Sequence, residues 1–339
     1  MTSKTHYASG FSEGEGDQLL SGMVILNSTF NEVVSINCGF VPHTVIQHPH
    51  HPQRFVALDK LSGKACFLDL ATSTSPTFFP PSEGCHFYGH GQFTEDGEFF
   101  LNTESAPGRF GKIVVRRASD LQIVREIKIP NYAPHECLLL PGSNSLVVAM
   151  SGKAIHDPRN PLELPSQVLT IDTISGVVQA AQALGNSTEK FGHLALSKNG
   201  DLAATLTTES GVSQGSALMA FARAGERMEA IPLAILPDSR FSHEALSIAF
   251  DDARERIIST NPAGETVSMW DVKLKQLLAI LELPQPGGVC VNAQGEYVVT
   301  SALGSIHIID PESFASKTES CQAHRQFGSH LTMITPIPV

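Results

Sequence analysis

The sequence predicts an all-β protein, a seven-bladed β-propeller closed by one C-terminal and three N-terminal strands. Two observations carry this expectation. A frame built around histidine returns seven times along the 339 residues, and nearly every segment between its returns has strand character. A third, the arithmetic of the chain ends, closes the ring.

The first strand-like pieces lie at the N-terminus, in "HYASGF", "SGMVILNS" and "EVVSINC". The frame then begins. Its stretches are "FVPHTVIQ", "FYGHGQFT", "YAPHECLL", "KFGHLALS", "RFSHEALS" and "FGSHLTMI". Each has an aromatic residue two or three positions before the histidine and an apolar residue three positions after it. "PGGVCVNAQGEYVV" fits the same frame with Gly288 in the histidine position. The frame positions are 43, 90, 135, 193, 243, 288 and 330, so the steps are 47, 45, 58, 50, 45 and 42 residues. Self-similarity at roughly 40–50 residues, with about four short strands per unit, marks a propeller blade.

Between the frames, "KIVVRRA", "SLVVAM", "QVLTIDT", "RIISTN", "TVSMWDV", "YVVTSA" and "SIHIID" are rich in Val, Ile and Thr and bounded by turn residues, as strands are. Residues 272–283 admit a helix, but "MWDVKLKQLLAILEL" also reads as strand, turn, strand. The long third step implies an insertion in the third blade, and "GKAIHDPRNPLELP" is the Pro-rich candidate. After His330 only "LTMITPIPV" remains, enough for one strand. That strand and the three N-terminal ones complete a seventh blade and leave no open sheet edge. The whole of 1–339 is then one propeller domain.

Composition excludes several classes. The net charge is −11 and no lysine or arginine cluster supplies a basic face, so nucleic acid is not expected as a partner. No apolar run approaches the roughly 18 residues of a membrane span. The N-terminal "MTSKTHYASGFSEGEGD" has no apolar signal region, so the expected compartment is the cytoplasm unless the chain is a mature form. The six cysteines form no CxxC pair, and reduced, mostly buried thiols are expected. There is no GxSxG elbow, P-loop or HExxH motif, and "GRFGKI" lacks the third glycine of a dinucleotide fingerprint.

The chemistry therefore rests on the frame. The first strand of a propeller blade lines the central channel, so the frame sets His43, His90, His135, His193, His243 and His330 at one level around the axis. Each buried neutral imidazole needs partners for both nitrogens, and charged ones would repel. A transition metal resolves both problems, since imidazole suits iron, zinc, copper and nickel. Glu136 and Glu244 follow two of these histidines and are candidate ligands or acceptors supporting the rings. Glu104, in "LNTES", is a third carboxylate expected near the channel mouth. Histidine with carboxylate favours iron, manganese or zinc, and no cysteine in the frame argues against blue copper. His48, His50 and His51 in "QHPHHP" read as a solvated turn able to scavenge nickel or copper. His156 sits in the insertion, His86 just before a strand, His307 in an outer strand, and Trp270 reads as ordinary blade packing.

"FYGHGQFTEDGEFFLNTES", "APHECLLLPGSNSLVVAM", "FGHLALSKNGDLAAT" and "PAGETVSMWD" resemble a family of bacterial propellers catalogued as a domain of unknown function. The resemblance runs from about residue 6 to 330 and is most specific at the GHG and PHE stretches. It implies the propeller fold, a twin-arginine export signal that this chain lacks, a periplasmic location for a mature form, and a setting beside periplasmic iron-uptake proteins. "FSHEALS" departs from the family pattern by adding a histidine.

The expected function is the binding of a transition metal ion in the channel, iron first and copper or zinc as alternatives, in metal uptake, handling or redox. An open coordination position would let the metal activate water or oxygen. One alternative is a lactonase-like or other metal-assisted hydrolytic propeller acting on a small ligand. Another is a WD-type scaffold that binds a protein partner on one face.

Overall fold

A computed structural model describes residues 5–60, 62–106, 110–130, 132–150, 165–184, 189–208, 217–233, 245–322 and 324–338. The predicted N-terminal strands form as β1 (His6–Glu13), β2 (Leu20–Leu26) and β3 (Glu32–Asn37). The first blade follows as β4 (Thr44–Gln47), β5 (Arg54–Leu58), β6 (Ala65–Asp69) and β7 (Thr77–Phe78). The second has β8 (His86–Phe93), β9 (Phe99–Ala106), β10 (Phe110–Arg117) and β11 (Ile123–Pro130). The third has β12 (Pro134–Leu139), β13 (Ser145–Met150), β14 (Gln167–Asp172) and β15 (Val178–Ala183). The fourth has β16 (Glu189–Leu196), β17 (Leu202–Thr208), β18 (Ala217–Ala222) and β19 (Glu229–Pro232). The fifth has β20 (Ile248–Asp251), β21 (Arg256–Asn261), β22 (Thr266–Asp271) and β23 (Gln276–Glu282). The sixth has β24 (Pro286–Val291), β25 (Tyr297–Ser301), β26 (Ser305–Ile309) and β27 (Ser316–Cys321). The last strand, β28 (Arg325–Ile334), pairs with β1 and completes the seventh blade in the order β28-β1-β2-β3. The ring is thus closed by one C-terminal and three N-terminal strands, as the chain ends predict.

Residues 272–283 resolve to a turn and β23, with Lys275 at a φ of 49°. The proposed third-blade insertion, with His156, falls largely within 151–164, outside the described residues. Among the described residues no helix is long and apolar enough to cross a membrane.

Burial explains the strand sequences. Middle strands lie between neighbouring blades and are mostly buried, and some read as near-continuous apolar runs, as in "LVVAM" of β13. The outermost strands β11, β15 and β27 are largely exposed, and β27 is polar. Seven apolar clusters hold the described residues together, each lying between two adjacent blades. One joins Met23, Ile25 and Ile36 of the closing blade to Phe55, Ala57 and Leu68 of the first. At about 25 cal/mol per Å2 of buried apolar surface, such contacts are the main favourable contribution to closure. The six thiols are free, and Cys38, Cys66, Cys137 and Cys290 are buried while Cys321 is exposed.

The innermost strands β4, β8, β12, β16, β20, β24 and β28 pack one against the next around the channel. Five of them break register at the frame position. In β8 the break falls between Phe87 and Gly91, in β12 between Pro134 and Cys137, and in β16 between Phe191 and Leu194. In β24 it falls between Pro286 and Val289, and in β28 between Phe327 and Leu331. A bulge frees one residue from the ladder and re-aims its side chain. Buried hydroxyls of the second strand take up the freed backbone groups. Thr205 Oγ1 accepts from His193 N at 2.8 Å and Thr300 Oγ1 from Gly288 N at 3.1 Å. Thr103 Oγ1 has His90 O at 3.3 Å and His135 O at 3.2 Å as acceptors for its one proton, and Ser9 Oγ donates to His330 O at 2.9 Å.

Candidate metal centre

Bulges in β8, β16 and β28 and the entry to β4 bring four imidazoles from four blades close together. His43, His90, His193 and His330 each offer a nitrogen, and these nitrogens all lie within 4.8 Å of one another. His43 precedes β4, with its N–H bonded to Leu58 O at 2.7 Å, while the other three lie in β8, β16 and β28. The six ring-to-ring distances among the four run from 4.6 to 5.8 Å. His43 Nε2 lies 3.0 Å from His90 Nε2 and 3.2 Å from His330 Nε2. Tetrahedral ligands at metal–nitrogen distances of 2.0–2.1 Å stand about 3.3 Å apart, which the two His43 pairs match, and the four nitrogens together are close enough to hold an ion.

Burial favours the neutral rings. It pushes His90 down to about 4, against the pull of Glu136. It holds His43 and His330 well below the ordinary histidine value, with the neighbouring rings adding to the effect. At neutral pH these imidazoles therefore present lone pairs, the form that binds metal. Both ring nitrogens of His193 are buried: Nδ1 faces Glu136 Oε2 at 3.3 Å, and Nε2 has no hydrogen-bond partner among the described residues. Leaving such a group unpaired costs about 1–3 kcal/mol, so the buried Nε2 points to a missing partner.

Glu136 sits behind the set. Its Oε1 lies 3.5 Å from His90 Nδ1 and its Oε2 3.3 Å from His193 Nδ1, while Oε2 also accepts from Leu194 N at 2.7 Å. Burial would raise this carboxyl, but the facing rings of His90 and His193 hold it well below the usual carboxylate range. It is placed to hold the Nδ1 proton of both rings, which leaves their Nε2 lone pairs toward the other histidines. Glu136 thus acts on the rings rather than as a member of the four-nitrogen set.

The remaining expected residues separate. His135 is buried beside the set, 4.7 Å ring to ring from His193 and 5.4 Å from His90, but outside the group of four. Its Nε2 is 3.4 Å from Lys60 Nζ. His243 and Glu244 lie outside the described residues. Glu104 differs from its expected place at the channel mouth, because its oxygens are taken elsewhere. Oε1 accepts from Arg116 (2.7 Å) and Asn102 (3.0 Å), and Oε2 accepts from Ser82 N (2.7 Å) and Ser82 Oγ (2.5 Å). Arg116 and Glu104 are both fully buried, so this pair is a structural element of the second blade. His48 is buried rather than solvated: Nδ1 accepts from His50 N and His51 N, and Nε2 faces Gly97 O at 3.0 Å. Neither of its nitrogens is left for a metal. His86 begins β8, His307 in β26 bonds Ser305 Oγ at 2.8 Å, and buried Trp270 bonds Ser268 Oγ at 2.9 Å. Sequence reading missed Lys60, which lies in a turn outside the frame and carries no repeat signal.

Fold and site together define a seven-bladed propeller with a histidine cluster in its channel, where four imidazoles are close enough to hold a metal ion. The chain belongs to the family described as "Protein of unknown function (DUF1513)", whose model matches residues 41–334. No curated protein matches it. Among solved structures it is similar to Kuenenia stuttgartiensis hydrazine synthase, at 12% identity and a TM-score of 0.65, covering 90% of this chain and 92% of that one. At that identity the likeness bears on the fold alone.

Proposed function

We propose that the protein binds a first-row transition metal through His43, His90, His193 and His330, and that its role is the handling of iron. One observation carries the reading: four nitrogens from four blades, far apart in sequence, lie within 4.8 Å of one another. The unpartnered Nε2 of His193 and the placement of Glu136 behind two of the rings support it. The all-imidazole set admits iron, zinc, copper and nickel alike. Iron is the member of that set that the family resemblance implies.

Elemental analysis by mass spectrometry tests this on untagged protein offered iron(II) anaerobically and, in separate loadings, zinc, copper(II) or nickel. The expected result is about one metal ion per chain, with iron retained, and its loss in a His90→Ala/His193→Ala variant that keeps the β circular-dichroism spectrum. Protein that stays metal-free after loading contradicts the metal reading. Stoichiometric zinc or copper without iron contradicts the iron role alone.

A further inference from the structure

The outer rim of the third blade differs from the other rims. Each blade ends in an outermost strand whose free edge offers unpaired backbone N–H and C=O groups, a template for another strand. Charge guards most of these edges: Glu32 in β3, Arg125 in β11, Glu229 in β19, Glu282 in β23 and Lys317 in β27. β7 is guarded by being only two residues long. β15, with the sequence VQAAQA, has neither guard. Among the described outer strands of more than two residues, it alone carries no charged side chain. A register slip leaves Gln179 out of the ladder, but Ala180, Ala181, Gln182 and Ala183 pair regularly with β14. The first four residues of β15 are exposed, while its two polar side chains are turned back on their own chain. Gln179 Oε1 accepts from Ser145 Oγ at 2.9 Å, and Gln182 Oε1 accepts from Met228 N at 2.7 Å. The strand is thus held from inside while its edge stays open.

Apolar surface continues from this edge. Val177 is 59% exposed, Ile174 in the turn before it 61%, and Val124 at the start of β11 50%. Arg125 Nη1 donates to Thr173 O at 3.0 Å, and a Cβ at Gly176 would stand 3.5 Å from Ile127 Cγ1, so the β14–β15 turn lies against β11. Val124 and Ile174 line one groove of about 600 Å3 between the two blades, together with Phe99, Leu101 and Leu139. Contiguous exposed apolar surface beside an open strand edge marks a protein contact.

Charge selects the partner. At a net charge of −11, two copies of the chain repel over most of their surface. A two-fold interface sets one patch against itself, so charges near its axis meet their own kind. On β15 no register brings like charges on the two strands together, which would be destabilising. A basic partner would be drawn to the acidic surface at large rather than to this neutral rim.

We propose that the protein forms a two-fold dimer through β15, whose strands from two copies pair antiparallel and join two four-stranded third blades into one continuous sheet. Val177, Val178 and Ile174 of each copy are covered in the process. β15 is the outermost strand of its blade and the clustered histidines are on the channel side, so the inference stands apart from the metal reading.

The test is sedimentation equilibrium on the whole untagged protein at concentrations up to about 100 μM. A reductant is present, because Cys321 is exposed and could link copies by a disulfide. A reversible monomer–dimer equilibrium is expected. Ala181→Lys, which places like charges across the paired strands, is expected to weaken it about tenfold or more. Ile174→Lys/Val177→Lys, which changes only exposed side chains of the turn and leaves the ladder alone, is expected to do the same. Thr318→Lys puts the same charge on the β27 edge and is expected to leave the dimer as it is. Circular dichroism confirms that each variant keeps its β spectrum. A wild-type protein that stays monomeric throughout overturns the proposal. So does a dimer that survives both β15-side variants, or one that Thr318→Lys weakens equally.

Discussion

At the scale of single residues, the site depends on how Glu136 is used. A carboxylate directly after a frame histidine reads from sequence as either a ligand or a ring acceptor. The structure gives it the second role, with His90 Nδ1 at 3.5 Å and His193 Nδ1 at 3.3 Å. Glu136→Gln keeps the shape and an acceptor oxygen but removes the charge that stabilises the Nδ1 protons. It should lower metal affinity about 10–100-fold, the usual effect of losing such a partner, with the fold intact. Chelator competition on the two proteins measures this, and an unchanged affinity would remove Glu136 from the account. The histidines themselves were legible because they recur in a frame. Glu104 was misleading because its type and position resemble a ligand, while its fate is set by Arg116, twelve residues away on the adjacent strand. Lys60 was illegible because its reach to His135 depends on the ring bringing three blades together.

Secondary structure aims these residues. An ideal strand alternates its side chains, so His135 and Glu136 could not both serve one cluster. The bulge between Pro134 and Cys137 relaxes that constraint, and similar breaks recur in β8, β16, β24 and β28. Their sequence signal is the buried Thr of the second strand, 12 or 13 residues after the frame position at Thr103, Thr205 and Thr300. It went unread because threonine is an ordinary strand residue. The sixth blade shows why one frame position is glycine. A Cβ at Gly288 would stand 2.2 Å from Leu331 N and 2.4 Å from His330 C, so β24 can approach β28 only without a side chain there. Gly288→Ala must push β28 outward. We expect a loss of about 1–3 kcal/mol or more, the cost of overpacking a close contact, read as a lower thermal midpoint. An unchanged midpoint would contradict the close approach.

The whole molecule is what turns a 40–50-residue repeat into a site. No blade holds more than one of the four clustered histidines, and the first and last of them, His43 and His330, meet because β28 joins β1. Closure of the ring and completion of the site are therefore one event. This level was the most legible in the sequence, since the frame steps and the leftover strands at the two ends require a seven-unit ring by counting alone. Which of the frame residues converge was not legible, because the frame treats His135 and His193 alike. The ring sets His193 among the four and His135 beside them, with Lys60.

The central claim is that four histidines from four blades hold one metal ion. Anomalous diffraction from crystals of iron-loaded protein, collected on both sides of the iron absorption edge, tests it most directly. The account predicts a single peak, about 2.1 Å from a ring nitrogen of each of His43, His90, His193 and His330, with Glu136 behind the rings of His90 and His193. A peak elsewhere, or iron-loaded crystals with no peak among the four rings, would contradict it.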